Sequence, residues 1–168
     1  PNQNVKVLFM STNERKTETL GYLAQIKADH KKYGHEEQAK VIVEQLRSEF
    51  PRLQVDNPIE WQGGRYWGVF IPLIPNRVRL IIQLTSSGTN RHVYNLKPTS
   101  QRQPDIKAFE TFMKEKNIKV KGTHAKLPCH KSQRSYSNED IESIKDQVRA
   151  TVKEFDIGGL SDIFGAPS

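Results

Sequence analysis

One cysteine, Cys129, stands in 168 residues, so no internal disulfide can form and nothing in the thiol content argues for an oxidising compartment. No apolar run approaches the roughly 18 residues a membrane helix needs, and no basic, apolar, small-residue series marks a secretory signal. An intracellular protein with no membrane partner is the expectation. Paired metal-ligand spacings are missing too: there is no CxxC and no HxxxH. The Ser/Thr/Gly turn at 85–90, TSSGTN, lacks the Lys-Ser/Thr ending of a phosphate-cradling P-loop and opens no convincing helix. The acid-x-lysine that a metal-dependent nuclease carries on a central strand is replaced by Arg79-Leu80-Ile81-Ile82-Gln83. These absences point to no catalytic residue, no metal and no cofactor.

Acids are scarce relative to bases, 19 against 26, and the imbalance is local. Residues 91–134 hold 11 Lys/Arg against 3 Asp/Glu, together with three of the five histidines, whereas residues 135–168 hold 3 against 7. More than the whole net charge of +7 therefore lies in one 44-residue segment. A field concentrated in this way attracts polyanions, and nucleic acid is the commonest.

The hydrophobic pattern organises the rest. Ile59 to Leu96 reads as an antiparallel meander. Val78, Leu80, Ile82 and Leu84 alternate with Arg77, Arg79 and Gln83, giving one dry and one basic face interrupted only by Ile81. Tyr66, Gly68 and Phe70 alternate with Trp67, Val69 and Ile71, a strand that can be covered on both sides. Gly63-Gly64 and Pro75-Asn76 supply turns. With a further short strand over Arg52–Asp56, about four strands are expected across residues 53–96, plus a lysine-lined edge strand near 118–121.

Four helices surround the meander. Ser11 to Asn13 offer N-caps for the first, running to about Lys32 with a thin apolar contribution from Leu20, Leu23, Ala24 and Ile26. Gly34 ends it. The second spans His35 to Phe50, with Ala39, Ile42, Val43, Leu46 and Phe50 on one face and Pro51 as its stop. His30 and His35 flank the break between the two helices, so they make a weak metal pair of undefined spacing. The third starts at Pro104-Asp105 and buries Ile106, Phe109 and Met113, with Phe112 at the edge of the stripe. The fourth is capped by Ser137 with Asp140 three residues on, and its stripe is Ile141, Ile144, Val148, Val152 and Phe155. The fold class expected is α+β: one domain over residues 10–157, an antiparallel sheet with N- and C-terminal helices packed on it.

The ends stand apart. Residues 1–9 precede Met10-Ser11-Thr12, which reads as an ordinary translation start, and are set aside as extraneous or flexible. The tail 158–168 carries Leu160, Ile163 and Phe164, a docking peptide for a protein partner or a frayed terminus.

The candidate nucleic-acid-binding residues follow from charge and pattern. Arg77 and Arg79 are expected on the open sheet face, continued by Arg91, Lys97 and Arg102 and by Lys119 and Lys121 at the edge strand. Gly122 to Tyr136 is read as a loop that adds Lys126, His130, Lys131 and Arg134, a mixture suited to phosphate. Trp61, Tyr66 and Trp67 cluster at the Gly63-Gly64 turn, where an exposed ring can stack on a base, although at least one tryptophan belongs to a core. No helix is basic enough to read a major groove, so single-stranded or structured RNA or DNA is the expected ligand. The alternative is a phosphodiester-cleaving enzyme, a nuclease or a degenerate nuclease-like domain. Asp56 and Glu60 would be its acids, or His124 and His130 its acid and base; Cys129 with the two histidines makes a poor zinc set. The element order is also similar to that of ubiquitin-conjugating and RWD-type domains, which would imply a protein-interaction module. That resemblance rests on element order alone, and no role for Cys129 follows from it.

Overall fold

The computed structural model describes residues 12–85, 93–127 and 135–157. Helix α1 (Thr12–Tyr33) stops at Gly34, whose positive φ of 67° is open to glycine at little cost, and α2 (His35–Glu49) starts immediately after it. The apolar spacing of α2 buries Ala39, Ile42, Val43 and Leu46, as its period requires. Among the described side chains of α1, Ile26 and His30, one turn apart, are the buried ones.

The sheet has six strands: β1 (Ile59–Trp61), β2 (Tyr66–Ile74), β3 (Val78–Leu84), β4 (Val93–Pro98), β5 (Val120–Lys121) and β6 (His124–Leu127). Helix α3 (Gln103–Glu115) lies between β4 and β5, and α4 (Asn138–Ile157) follows β6. The spatial order is β1-β2-β3-β4-β6-β5, with every neighbouring pair antiparallel. The sheet is thus a meander finished by a hairpin whose second strand, β6, inserts beside β4 and leaves β5 at the edge.

Two expectations need correction. Residues 52–56 form no strand: Val55 is buried, but its carbonyl accepts a hydrogen bond from Arg47 Nε at 2.9 Å, and Asn57 Oδ1 accepts one from the same guanidinium. A strand needs a succession of backbone partners; here the sheet supplies one long bond, Asp56 N–H to the Phe70 carbonyl at 3.4 Å, while the Arg47 side chain takes the Val55 carbonyl. Gly122 to Tyr136, read as one loop, begins instead as the turn and second strand of a hairpin. Gly122 has φ 60° in the turn, and Lys121 pairs with His124 across it.

Helices α2, α3 and α4 pack on one side of the sheet. Ile42 and Leu46 of α2, Phe109, Phe112 and Met113 of α3, and Ile144 and Val148 of α4 meet Val69, Ile71, Leu80, Ile82, Leu84, Leu96 and Ala125 in one core. Phe112 is as deeply buried as Phe109, while Ile106 is only half-buried. Trp67 packs against the edge of this core. Ser137 and Asp140 form the expected reciprocal cap of α4. Ser137 N–H donates to Asp140 Oδ2 at 2.8 Å, and Asp140 N–H donates to Ser137 Oγ at 3.1 Å.

Among the described residues, no helix is long and apolar enough to cross a membrane.

Candidate nucleic-acid interface on the second sheet face

Because side chains alternate along a strand, packing the helices against one face sends a defined second set to the other. On β2 and β3 that set is Tyr66, Gly68, Phe70 and Pro72, then Arg79, Ile81 and Gln83. On β4, β6 and β5 it includes Asn95, Lys97, His124, Lys126 and Lys121. Ile81, the one break in the alternation of β3, is 4% exposed and lies opposite Phe70, also 4% exposed. Neither belongs to the main core.

Register then arranges the charges. Arg79 is the partner of Lys97. Leu96 pairs with Ala125, which sets His124 beside Lys97, and His124 in turn pairs with Lys121. Four basic-type side chains thus form a row across four consecutive strands, with neighbouring strands about 4.8 Å apart. Lys126, opposite Asn95, stands one step along from this row. Lys121 and Lys126 are exposed, whereas Arg79, Lys97 and His124 are half-buried. Glu60 is the only acid in the six described strands, and its partner Trp67 places it on the helix side of the sheet.

An aromatic group borders the row at the β1 end. The rings of Trp61 and Phe70 meet edge to face, with centroids 5.1 Å apart. Arg79 lies over both, its guanidinium carbon 4.8 Å from the Phe70 centroid and 5.6 Å from that of Trp61. This is cation–π geometry, and the buried Arg79 Nε has no hydrogen-bond partner. Gly68 makes room for the arrangement, since a Cβ there would come within 2.8 Å of the Phe70 ring. Tyr66 is buried beneath, with the Gln83 and Trp61 side chains in hydrogen-bond reach of its hydroxyl; burial pushes its phenol above the usual range. Trp61 itself is half-exposed.

The remaining candidates are placed differently. Arg77 does not share the open face with Arg79. It falls in the β2–β3 turn, where its guanidinium donates to both oxygens of Asp105 at 2.9 and 2.8 Å, with side-chain exposures of only 13% and 7%. The alternation that carries Arg79 outward begins at Val78, one residue after Arg77. Arg102 is exposed but also approaches Asp105, at 3.6 Å. Lys119 precedes β5 and lines a groove against α3 with Glu110 and Lys114. Arg91, Cys129, His130, Lys131 and Arg134 lie outside the described residues, as does the tail from residue 158.

The nuclease alternative gains no cluster. Asp56 and Glu60 are both exposed, and no group of three His, Cys, Asp or Glu able to hold a metal occurs among the described residues. His30 and His35, whose spacing the helix break leaves undefined in the sequence, form a buried pair. His30 Nδ1 and His35 Nδ1 are 2.7 Å apart, and His30 Nε2 lies 3.0 Å from the Gly64 carbonyl oxygen. The sharp turn at Gly34 brings the two rings together.

No protein-family model, no curated protein and no solved structure matches this chain.

Proposed function

We propose that the protein binds nucleic acid through the second face of its sheet, holding phosphates and carrying out no chemistry on them. The observation that supports this reading is the row Arg79, Lys97, His124, Lys121 on a face whose described strand positions include no acid. Cations that face other cations, without carboxylates between them, repel one another in the free protein. A polyphosphate relieves that repulsion and releases its own condensed counterions. Contacts of this kind give affinity with little sequence preference.

The test is binding of labelled RNA and DNA over a salt series, with and without magnesium. If Arg79, Lys97, Lys121 and Lys126 each meet a phosphate of a single strand, log K falls against log salt with a slope of roughly −3. Lys97→Ala with Lys121→Ala lowers affinity and flattens that slope, and the labelled strand stays intact with magnesium present. Absence of binding at low salt overturns the proposal, and magnesium-dependent cleavage overturns its non-catalytic part.

A further inference from the structure

Resting on that reading, we infer that the ligand is a single strand lying across the β-strands, with a base stacked on Trp61 and its phosphates following the row from Arg79 toward Lys121. Two independent features of the face converge on this. The first is the position of the aromatic group. Trp61 and Phe70 lie on β1 and β2, immediately beside Arg79 on β3, so ring and cations succeed one another in the direction perpendicular to the strands. A single strand alternates base and phosphate and can offer one to each. In a duplex the bases are stacked on one another, and an aromatic on a sheet face meets only backbone.

The second feature is Arg79. Its guanidinium rests on two aromatic rings, its Nε is buried without a hydrogen-bond partner, and no carboxylate ion pair to it occurs among the described residues. An arginine held flat by rings is oriented before the ligand arrives. It can donate to a phosphate or to a base edge while its faces stay stacked. Helices α3 and α4, which flank the basic strands in sequence, offer no competing duplex site: α3 carries two Lys against three Asp/Glu, and α4 carries three Lys/Arg against six Asp/Glu. Recognition of a major groove by a basic helix has no support there.

The experiment compares oligo-dT and oligo-U single strands with a DNA duplex and an RNA duplex of equal length, following labelled-strand anisotropy and intrinsic tryptophan fluorescence. Single strands are expected to bind at least about tenfold tighter than either duplex and to quench Trp61. Trp61→Ala should weaken single-strand binding roughly 5- to 150-fold while leaving the salt slope unchanged. Trp61→Phe should keep most of the affinity, which separates stacking from a folding defect. Duplex binding equal to or tighter than single-strand binding, or unchanged affinity in Trp61→Ala, would overturn the inference and leave the proposed function standing. Failure of every probe at low salt would remove both.

Discussion

His30 and His35 are joined through their Nδ1 atoms at 2.7 Å, inside the corner where α1 turns into α2. With His30 Nε2–H donating to the Gly64 carbonyl, a neutral His30 has only Nδ1 left as an acceptor, and His35 Nδ1–H fills it. Burial holds His30 below the usual histidine range, against the weaker opposing effects of the Gly64 and Arg65 backbone and the Glu60 and Asp29 carboxylates. A neutral His30 is the folded form.

The sign of the pH dependence follows. The unfolded chain takes up protons near the ordinary value of 6.5, before the folded one does, so stability is fully present above about pH 6.5 and declines as pH falls below it. Melting temperature between pH 7.5 and pH 5 should drop for the wild type, and less for His30→Asn. His35→Ala should cost about 1–3 kcal/mol at pH 7.5 in urea titrations, since it leaves a buried ring nitrogen without its donor.

Asp105 responds in a lower window. A hydrogen bond from Ser100, together with Arg77 and Arg102, holds its carboxyl below the usual range despite burial. Its contribution is present above the unfolded carboxylate pKa near 3.8 and is lost as pH falls through the lower folded value. Asp105→Asn should therefore lower the melting temperature at pH 7, with the difference from wild type shrinking toward pH 2. Arg77→Gln should destabilise the fold and leave the salt slope of nucleic-acid binding unchanged, because that guanidinium is already paired.

Gly68→Ala tests the second face from beneath. The added methyl would meet two Phe70 ring carbons at 2.8 and 2.9 Å, so the ring must shift and with it the contact to Trp61. A loss of about 1–3 kcal/mol in urea unfolding is expected, with a changed near-ultraviolet circular dichroism signal.

Ser137→Ala removes the hydroxyl that caps Asp140 N–H and should cost about 0.5–2 kcal/mol. Ser137→Asp, which restores an acceptor, should recover part of that loss in the same thermal melts.

What was legible in the sequence was local. Ala39 to Leu46 and Ile141 to Val148 announce their helices because the period, the cap and the stop all lie within a few turns. The sites that depend on distant pairing were hidden. Arg79 and Lys121 belong to one row only through three successive strand registers, and nothing in the spacing of 79, 97, 121 and 124 reveals it. The histidine pair depends on the backbone angle at Gly34, which a helix break in the sequence leaves open. The β5–β6 hairpin had a readable signal, the Gly-Thr turn between Val120-Lys121 and His124 to Leu127, but the density of cations around it suggested a loop. Residues 52–56 show the opposite failure: a β-like composition that keeps one long backbone bond to the sheet, from Asp56 to Phe70, and otherwise turns to the Arg47 side chain.

Tyr136 carries a consequence for how this chain tolerates change. Its hydroxyl accepts from Thr85 N–H and donates to the Thr85 carbonyl, while its own backbone is held at both N–H and C=O by the Gln38 amide. The end of β3, the approach to α4 and the first turn of α2 are therefore fastened at one point. Tyr136→Phe would cut the tie to the Thr85 backbone and leave the hold on α2, since Gln38 grips only the main chain of residue 136.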